Sequence, residues 1–303
     1  MSHEQIDHRG GPAMTAIRML LIVCCMLFSA LGKADTIVVV IPAASSLTDE
    51  FIEDLRKQRS DDNVSVYNLE SGGPVPEASL LITMGSSSLQ WRLKQASDTP
   101  TIGTYISRSS LPPLSPDYLQ IILANPAPHR QLQLARLLIP RLSAVGALYS
   151  PDHQAQLPEW QQAADAADLD LLSLPLDNQQ QLGRQLITLL DGSDALVAID
   201  DPIIYNADSL KTILLSSYTR NKVLIGPSAP FINAGSLSTT FSTPGQTAQS
   251  ITRVLARPWR PGAITYPHYF SVLSNAQVAR SLGFPPPDDD ALAEQLRQQE
   301  MGQ

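Results

Sequence analysis

The feature that most constrains this chain is a short apolar run that ends at a glycine and a group of serines. Leu80–Met84 is apolar apart from one threonine, and Gly85 and the serines at 86–88 follow it directly. An unbroken apolar run indicates a strand that is covered on both faces, as in the parallel sheets of α/β proteins. Residues 89–94 then have helical spacing, so the sequence predicts a buried strand, a tight turn and a helix start.

The turn after this strand has the chemistry of an anion site. Gly85 lets a guest approach the backbone closely, and Ser86 and Ser87 can cap the helix while its free N–H groups face outward. The N-terminus of a helix attracts anions such as carboxylates. The same residues also suit an ordinary capped connection between a strand and a helix. The turn by itself therefore leaves a carboxylate site and a plain helix cap both open.

Length and charge narrow the class of protein. The chain has 303 residues, of which 43% are hydrophobic, and its net charge is −8. Such a chain can bury a large core but is long for one domain, so we predict two. A nucleic-acid-binding protein needs a basic surface, whereas the lysines and arginines of this acidic chain are scattered. The composition therefore argues against nucleic acid as a partner.

The N-terminal segment has the pattern of an export signal. Arg18 precedes an apolar stretch at 19–28 that is too short to span a membrane. Gly32 and Ala34 are the small residues that a signal peptidase selects, which predicts a signal peptide over residues 1–34 with cleavage near Ala34. Met14 is an alternative start of this leader, because the residues before it are polar.

Both cysteines of the chain, Cys24 and Cys25, lie in this predicted leader. The mature protein would then have neither a disulfide nor thiol chemistry. Lipidation of Cys24 is the alternative, but Val23 is bulky where lipoprotein signals carry a small residue.

From residue 36 onward the sequence alternates between two periods. β-Branched runs such as Thr36–Ile41 alternate with amphipathic helices, the first of which is predicted to begin with Thr48 as its N-cap. The proline-rich passage 111–116 separates a first series of such units from a second, and we interpret it as the edge of the first lobe. The predicted fold class is α/β, with two doubly wound parallel-sheet lobes, a hinge and an interlobe cleft. Ligands of open α/β sheets bind beyond the carboxyl ends of the strands.

Short matches in a fixed order give the chain a family resemblance. The RQL, LIP and VGALYS segments within residues 130–150 are among them, with others at 201–206, 226–228, 234–237, 242–244 and 266–283. They resemble the substrate-binding proteins of uncharacterised ABC transporters. The resemblance implies a periplasmic protein with the type I binding-protein fold and a small, amino-acid-like ligand between the lobes. It assigns residues 35–122 and 242–303 to lobe 1 and residues 123–241 to lobe 2.

The resemblance also implies a set of ligand-binding residues. The carboxylate-binding turn of the family falls on Gly85, Ser86 and Ser87, where the local pattern already indicates an anion site. The other candidates follow strands at the same edges, namely Ser45, Ser46, Tyr105, Ser107, Asn125, Ser150, Asp200, Asp201, Tyr205 and Phe231.

Several of these candidates have an ordinary structural alternative. Asp200 and Asp201 are expected to accept hydrogen bonds from a ligand ammonium group, although either could instead cap the turn before Pro202. The aromatic residues could stack on a ligand or pack within a lobe. Asn125 stands where family members often carry an acidic residue, a difference that weakens the prediction of an amino-acid ligand.

The sequence does not predict an enzyme. It contains no nucleophile elbow, HExxH motif, Walker loop or dinucleotide-binding GxGxxG. No cluster of His, Cys or carboxylate residues has metal-ligand spacing, and we predict neither a cofactor nor a metal. His153 follows a predicted strand and is interpreted as a surface-turn residue. The acidic run 288–290 is interpreted as a helix start.

Two functional hypotheses remain open at this stage. The first is a periplasmic receptor that closes on a small polar ligand and delivers it to an ABC permease in the inner membrane. The second is a module of the same fold whose closure is detected by a membrane sensor without transport. A monomer suits hinge closure in both hypotheses.

Overall fold

The computed structural model describes residues 35–113 and 116–301, so the predicted leader lies outside the described residues. Strands and helices alternate along this part of the chain. No helix in it has the length and apolar character needed to cross a membrane.

The strands form two separate sheets. Within the described residues, one six-stranded sheet has the order β11-β5-β4-β3-β1-β2 and the other has the order β12-β10-β9-β8-β6-β7. Neighbouring strands are parallel except for β10 and β12, which are antiparallel. The strands are β1 Thr36–Ile41, β2 Asn63–Asn68, β3 Leu80–Met84, β4 Thr101–Ile106, β5 Leu119–Leu123, β6 Ala144–Tyr149, β7 Asp170–Pro175, β8 Ala195–Val197, β9 Leu224–Ile225, β10 Ser238–Phe241, β11 Ile264–Thr265 and β12 Ser271–Ser274.

The helices connect these strands and cover both sheets. They are α1 Ser46–Gln58, α2 Gly85–Leu93, α3 Pro128–Leu138, α4 Leu157–Ala166, α5 Leu182–Gly192, α6 Ala207–Tyr218, α7 Pro230–Ala234, α8 Pro244–Leu255, α9 Ala276–Ser281 and α10 Asp289–Met301. The predicted α/β class with two parallel-sheet lobes is confirmed.

The packing of the first lobe explains why β1 is apolar after its first residue. Alternate residues of β1, such as Ile37 and Val39, pack against Phe51 of α1 and Ile251 of α8. The residues between them point the opposite way, and there Val38 contacts the cluster that includes Trp91 of α2. Because helices cover both faces, the five buried positions after Thr36 are all occupied by apolar side chains.

The second lobe repeats this arrangement with its own helices. One face of its sheet, represented by Val145, packs against Leu132 of α3 and Trp160 of α4. The opposite face, represented by Leu148, packs against Leu186 of α5 and the residues of α6. Each sheet is therefore the central layer of its own hydrophobic core.

Within residues 35–113 and 116–301, the chain passes between the two sheets three times, after β5, after β10 and between β11 and β12. The predicted lobe boundaries placed everything from residue 242 onward in lobe 1, and the structure differs here. Of the described elements after residue 242, only α8 and β11 return to the first lobe, because β12 pairs with β10 in the second sheet. Val278 and Ala279 of α9 and Leu296 of α10 also bury their apolar side chains against second-lobe elements.

Two helix starts differ from the sequence prediction. Ser45, rather than Thr48, is the N-cap of α1: the Ser45 hydroxyl accepts the Thr48 N–H at 3.2 Å, and Thr48 Oγ1 accepts the Ser45 N–H at 2.8 Å. α2 begins at Gly85 itself, with Met84 as an N-cap that makes no side-chain bond. The left-handed φ of 79° at Gly85 turns the chain from strand to helix without a separate loop. The serines therefore lie inside the first turn and do not cap it.

Candidate ligand-binding cleft

Most of the predicted site residues lie at the carboxyl ends of the parallel strands. In the first lobe, Ser45, Gly85 and Ser107 follow β1, β3 and β4. In the second lobe, Ser150 follows β6 and Asp200 comes shortly after β8. The carboxyl ends of parallel strands meet at one edge of a sheet, so each lobe presents a rim of polar residues. We call these the first-lobe rim and the second-lobe rim.

The first-lobe rim is open around α1 and α2. Ser45 and Ser46 are exposed, although the Ser45 hydroxyl is engaged in the helix cap. Ser86 is half-buried and Ser87 is exposed, and neither side chain makes a hydrogen bond within the described residues. A Cβ atom at Gly85 would meet no atom within 4 Å apart from its chain neighbours and the backbone of its own helix. The hydroxyls and first N–H groups of α2 therefore border open space.

Two further residues of this rim are engaged within the first lobe. The ring of Tyr105 packs edge-on against Phe51 at 5.8 Å between centroids, and its burial raises the pKa of the phenol to about 12. The hydroxyl of Ser107 bonds the hydroxyls of Ser109 and Ser110, both at 2.9 Å. Tyr105 is thus directed toward the core, and Ser107 organises the loop after β4.

The second-lobe rim contains a buried cluster around Asp201. Its carboxylate accepts the N–H of Ser150 at 2.6 Å and the N–H of Ile203 at 3.1 Å, and Oδ1 lies 3.3 Å from Nδ1 of His153. The same His153 nitrogen is 2.9 Å from the Ser150 hydroxyl. The Asp201 side chain has 0% exposure. Asp201 therefore ties the end of β6 to the turn after β8.

The aromatic candidates of the second lobe are also packed inside it. The Tyr205 hydroxyl bonds the backbone of Leu148, accepting from its N–H at 3.2 Å and donating to its carbonyl at 3.3 Å. Burial raises the pKa of Tyr205. Phe231 is half-buried and packs against the cluster that contains Tyr205 and Leu214. The ligand-binding roles of these residues stay predictions.

Polar contacts join the two rims across the cleft. The N–H of Ser109, after β4, donates to Oδ2 of Asp200 at 2.7 Å. The guanidinium of Arg108 pairs with Glu159 of α4 at 2.9 Å. Asn125 orients this loop by accepting the Arg108 N–H at 2.6 Å. Of the predicted residues, the structure thus brings together Asp200, Asn125 and the Ser107 loop. They lie beside the chain crossings after β5 and between β11 and β12, which we call the hinge.

Beside these contacts lies a small cavity between the lobes, with a volume of about 20 Å³. Arg108, Gln156, Trp160 and Tyr266 line it together with Asp200 and Asn125. A single water needs roughly 10–15 Å³ by this measure, so the space holds about one water. The protein's own side chains therefore fill this section of the cleft.

Three residues of this region, Arg108, Glu159 and Tyr266, were not among the site residues predicted from the sequence. Arg108 could have been found, because it directly follows a predicted strand-end serine. Glu159 and Tyr266 lie on a helix and on a crossing segment, and their relation to the cleft depends on how the lobes meet. Burial and the nearby Glu159 carboxylate both raise the pKa of Tyr266.

The serine, histidine and aspartate of the second-lobe rim do not form a hydrolase relay. In that relay, the serine and the carboxylate contact opposite nitrogens of the ring. Here the Ser150 hydroxyl and the Asp201 carboxylate both lie against Nδ1 of His153. Among the described residues, no group of His, Cys, Asp and Glu side chains could hold a metal ion. The geometry is that of a rim held rigid by hydrogen bonds.

The same fold occurs in other proteins of solved structure. No protein-family model matches the sequence, and no curated protein matches it significantly. Solved structures do match. A ligand-free, open substrate-binding protein with adhesive properties from Clostridium difficile aligns with a TM-score of 0.63 and 12% identity, covering 84% of this chain and 97% of that one. This chain has the fold of the type I periplasmic binding proteins.

Two further solved structures have a similar fold. An ABC domain in complex with L-Trp from Streptococcus pneumonia aligns with a TM-score of 0.50 and 16% identity over 84% of this chain and 97% of that one. A conserved domain protein from Vibrio cholerae has the same TM-score of 0.50, with 12% identity over 86% and 98% of the two chains. The resemblance to periplasmic binding proteins in the sequence is thus confirmed for the fold.

Proposed function

We propose that this protein is the periplasmic solute-binding component of an ABC transporter and closes on a small, polar, carboxylate-bearing ligand. The observation that carries the proposal is the hydrogen bond from Ser109 to Asp200, which joins the two polar rims at 2.7 Å. Hinged binding proteins hold their ligands by bringing two such rims together. The type I fold supplies the two lobes and the crossings between them.

The first-lobe rim provides the site for the ligand's carboxylate. The first turn of α2 offers unpaired backbone N–H groups, the Ser86 and Ser87 hydroxyls and a glycine that no side chain covers. The positive end of the helix dipole adds to the attraction for an anion. No carboxylate of the protein makes a hydrogen bond to this turn within the described residues.

Asp200 is the acceptor for the positive end of the ligand. Its Oδ2 atom accepts the Ser109 N–H across the cleft, so a ligand ammonium would replace a bond that already exists. Gln156 fixes this residue by donating to its backbone carbonyl at 2.8 Å. Asp201, Ser150 and Tyr205 act indirectly in this proposal, since their polar atoms hold the second-lobe rim in shape.

Entry of a ligand requires the lobes to separate. The cavity beside the hinge has only about 20 Å³, which is far below the roughly 300 Å³ of a small-molecule site. Opening breaks the Ser109–Asp200 bond and the Arg108–Glu159 pair. Both lie near the surface, where such contacts contribute about 1 kcal/mol or less each, so binding energy can drive the exchange.

A thermal-shift screen of the purified protein tests this function. The panel consists of amino acids, short peptides and small organic acids, because a ligand that binds only the folded state raises the melting temperature. The variant Ser86→Leu should abolish the shift, since leucine covers the N-terminus of α2. Ser60→Leu is the matched control, because Ser60 is an exposed serine that follows the C-terminal end of α1, whereas the first-lobe rim lies at the N-terminal end of that helix. A full shift in Ser86→Leu would contradict the proposed carboxylate site.

Transport needs a separate test. The protein with its ligand should stimulate the ATPase activity of the permease encoded beside it, reconstituted in lipid vesicles. Asp200→Ala should lose the stimulation at ligand concentrations that saturate the unmodified protein. If ligand binding is intact but no permease responds, the sensing hypothesis replaces the transport hypothesis.

A further inference from the structure

A second cavity lies on the hinge side of the molecule, apart from the polar rims. Its volume is about 360 Å³, which falls in the range of small-molecule sites. Its walls come from α3, α8, α10 and the crossing between β11 and β12. Tyr266 of that crossing also lines the small cleft cavity, so it separates the two spaces. We call this second space the hinge cavity.

One wall of the hinge cavity is electrically balanced. Arg130 of α3 forms a two-point pair with Glu300 of α10, from Nε at 2.7 Å and from Nη2 at 3.1 Å. Its remaining nitrogen donates to the carbonyl of Pro267 at 3.2 Å, and the guanidinium lies 3.8 Å from the centre of the Phe270 ring. The charge of Arg130 is therefore balanced, and each of its three side-chain nitrogens already donates a hydrogen bond.

Glu300 remains an anion in this arrangement. Burial raises its pKa, but the hydrogen bonds and charges of His129 and Arg130 outweigh that effect and bring the pKa to about 2. Glu300 therefore neutralises Arg130 and is not available to balance the arginines on the opposite wall.

The opposite wall carries charge that nothing in the described residues balances. Arg253 in the last turn of α8 and Arg257 just beyond it line the cavity, and neither side chain has a hydrogen bond or an ion pair there. His268 completes this wall. Burial, and then the positive charge of Arg253, lower the pKa of His268, so at neutral pH its ring is uncharged and can donate one hydrogen bond.

We propose that the hinge cavity binds a small polyvalent anion that carries phosphate or carboxylate groups. The guanidinium groups of Arg253 and Arg257 bind it, and His268 adds a hydrogen-bond donor. Arginine forks match the oxygen pairs of phosphates and carboxylates, and both arginines line a concave space of about 360 Å³ rather than a flat surface. This site is distinct from the interlobe ligand site and does not depend on it.

Isothermal titration of the purified protein tests the hinge site, with inorganic phosphate and citrate as probes at constant ionic strength. We expect saturable binding of at least one of the two, and the stronger one identifies the preferred group. The double variant Arg253→Gln, Arg257→Gln should weaken binding at least tenfold. The matched control is Arg260→Gln, which removes an exposed arginine of the same segment that does not line the cavity.

The outcomes separate this site from the cleft. Ser86→Leu should leave unchanged the part of phosphate or citrate binding that the double Gln variant loses, because Ser86→Leu alters only the first-lobe rim. A double Arg→Lys variant of Arg253 and Arg257 should retain part of the affinity, since it keeps the charges but loses the forks. Non-saturable heats with both anions, or equal affinity in the double Gln variant and the Arg260→Gln control, would overturn the proposal.

Discussion

The two rims of the cleft are built from similar strand ends, but they use their polar groups differently. On the first-lobe rim, the side chains of Ser86 and Ser87 make no hydrogen bond within the described residues. On the second-lobe rim, the Asp201 carboxylate accepts the Ser150 N–H, and the Ser150 hydroxyl lies within hydrogen-bond distance of the His153 ring. One rim therefore offers hydrogen-bonding groups to a guest, and the other is a rigid surface with Asp200 as its available acceptor.

The difference is sharpest for two adjacent residues. Asp201 is completely buried and accepts bonds from within its own lobe. Asp200 is partly exposed and accepts its bond from the opposite lobe. A carboxylate at a strand end can thus stabilise a lobe or act between lobes, and burial decides which role it takes.

The largest loss of stability that this comparison predicts follows from the removal of the Asp201 side chain. Asp201→Ala removes the acceptor of the buried Ser150 N–H and of the partly buried Ile203 N–H. Leaving the buried donor without a partner should cost about 3 kcal/mol of unfolding free energy. Urea denaturation followed by circular dichroism measures it. Asp200→Ala is the neighbouring control, with an expected loss below about 1 kcal/mol. Equal midpoints for the two variants would show that Asp201 does not have the structural role described here.

The next effect concerns Glu300, another carboxylate committed within the fold. Its pKa is lowered to about 2 from a model-compound value of 4.5, so its ionised form favours the folded state. The resulting stability is fully present above about pH 4.5 and is lost as the pH falls toward 2. With its side chain 21% exposed, we expect about 2 kcal/mol after solvent screening.

Urea denaturation from pH 2.5 to 7 checks the Glu300 prediction. Glu300→Gln should be less stable at pH 7 and should lose less stability on acidification. Glu294→Gln is the matched control, because Glu294 is an exposed carboxylate of the same helix that pairs with Arg297. A Glu300→Gln curve parallel to that of the unmodified protein would mean that Glu300 is not the titrating group.

Much of the fold could be predicted from the sequence because burial leaves a direct pattern. The apolar runs of β1, β3 and β5 are buried on both faces, and each was recognisable as a strand. The lobe to which each element after residue 242 belongs was harder to predict from the sequence. Whether Ser271–Ser274 joins one sheet or the other depends on pairing with β10, and such long-range pairing leaves little trace in a short strand.

The site could be predicted only in part, for a related reason. The sequence identifies polar residues that follow strands, such as Ser150 and Asp201. It does not reveal whether their polar atoms are already paired, because their partners lie elsewhere in the chain, 51 residues apart in this case. It also misses Arg108 and Glu159, which meet only because the two lobes come together.

A smaller change in stability distinguishes the serine of the first-lobe rim that caps α1 from the serine that does not. Ser45→Ala removes the hydroxyl that accepts the Thr48 N–H, and loss of such an N-cap costs about 1 kcal/mol. Ser46→Ala, at the exposed first residue of α1, should change stability by less than about 0.5 kcal/mol. Chemical denaturation of both variants gives the comparison. If Ser45→Ala is as stable as Ser46→Ala, the Ser45 hydroxyl is available for a ligand instead.

The smallest effect on stability belongs to Asp200, whose removal should instead change the shape of the molecule. Asp200→Ala loses the bond from Ser109 across the cleft while each lobe keeps its own core, so the unfolding free energy should fall by less than about 1 kcal/mol. The lobes should separate more readily, and small-angle X-ray scattering should record a larger radius of gyration. Asp200→Asn keeps an oxygen that can accept the Ser109 N–H, so it should scatter like the unmodified protein. If all three proteins scatter alike, the Arg108–Glu159 pair and the hinge, rather than Asp200, set the distance between the rims.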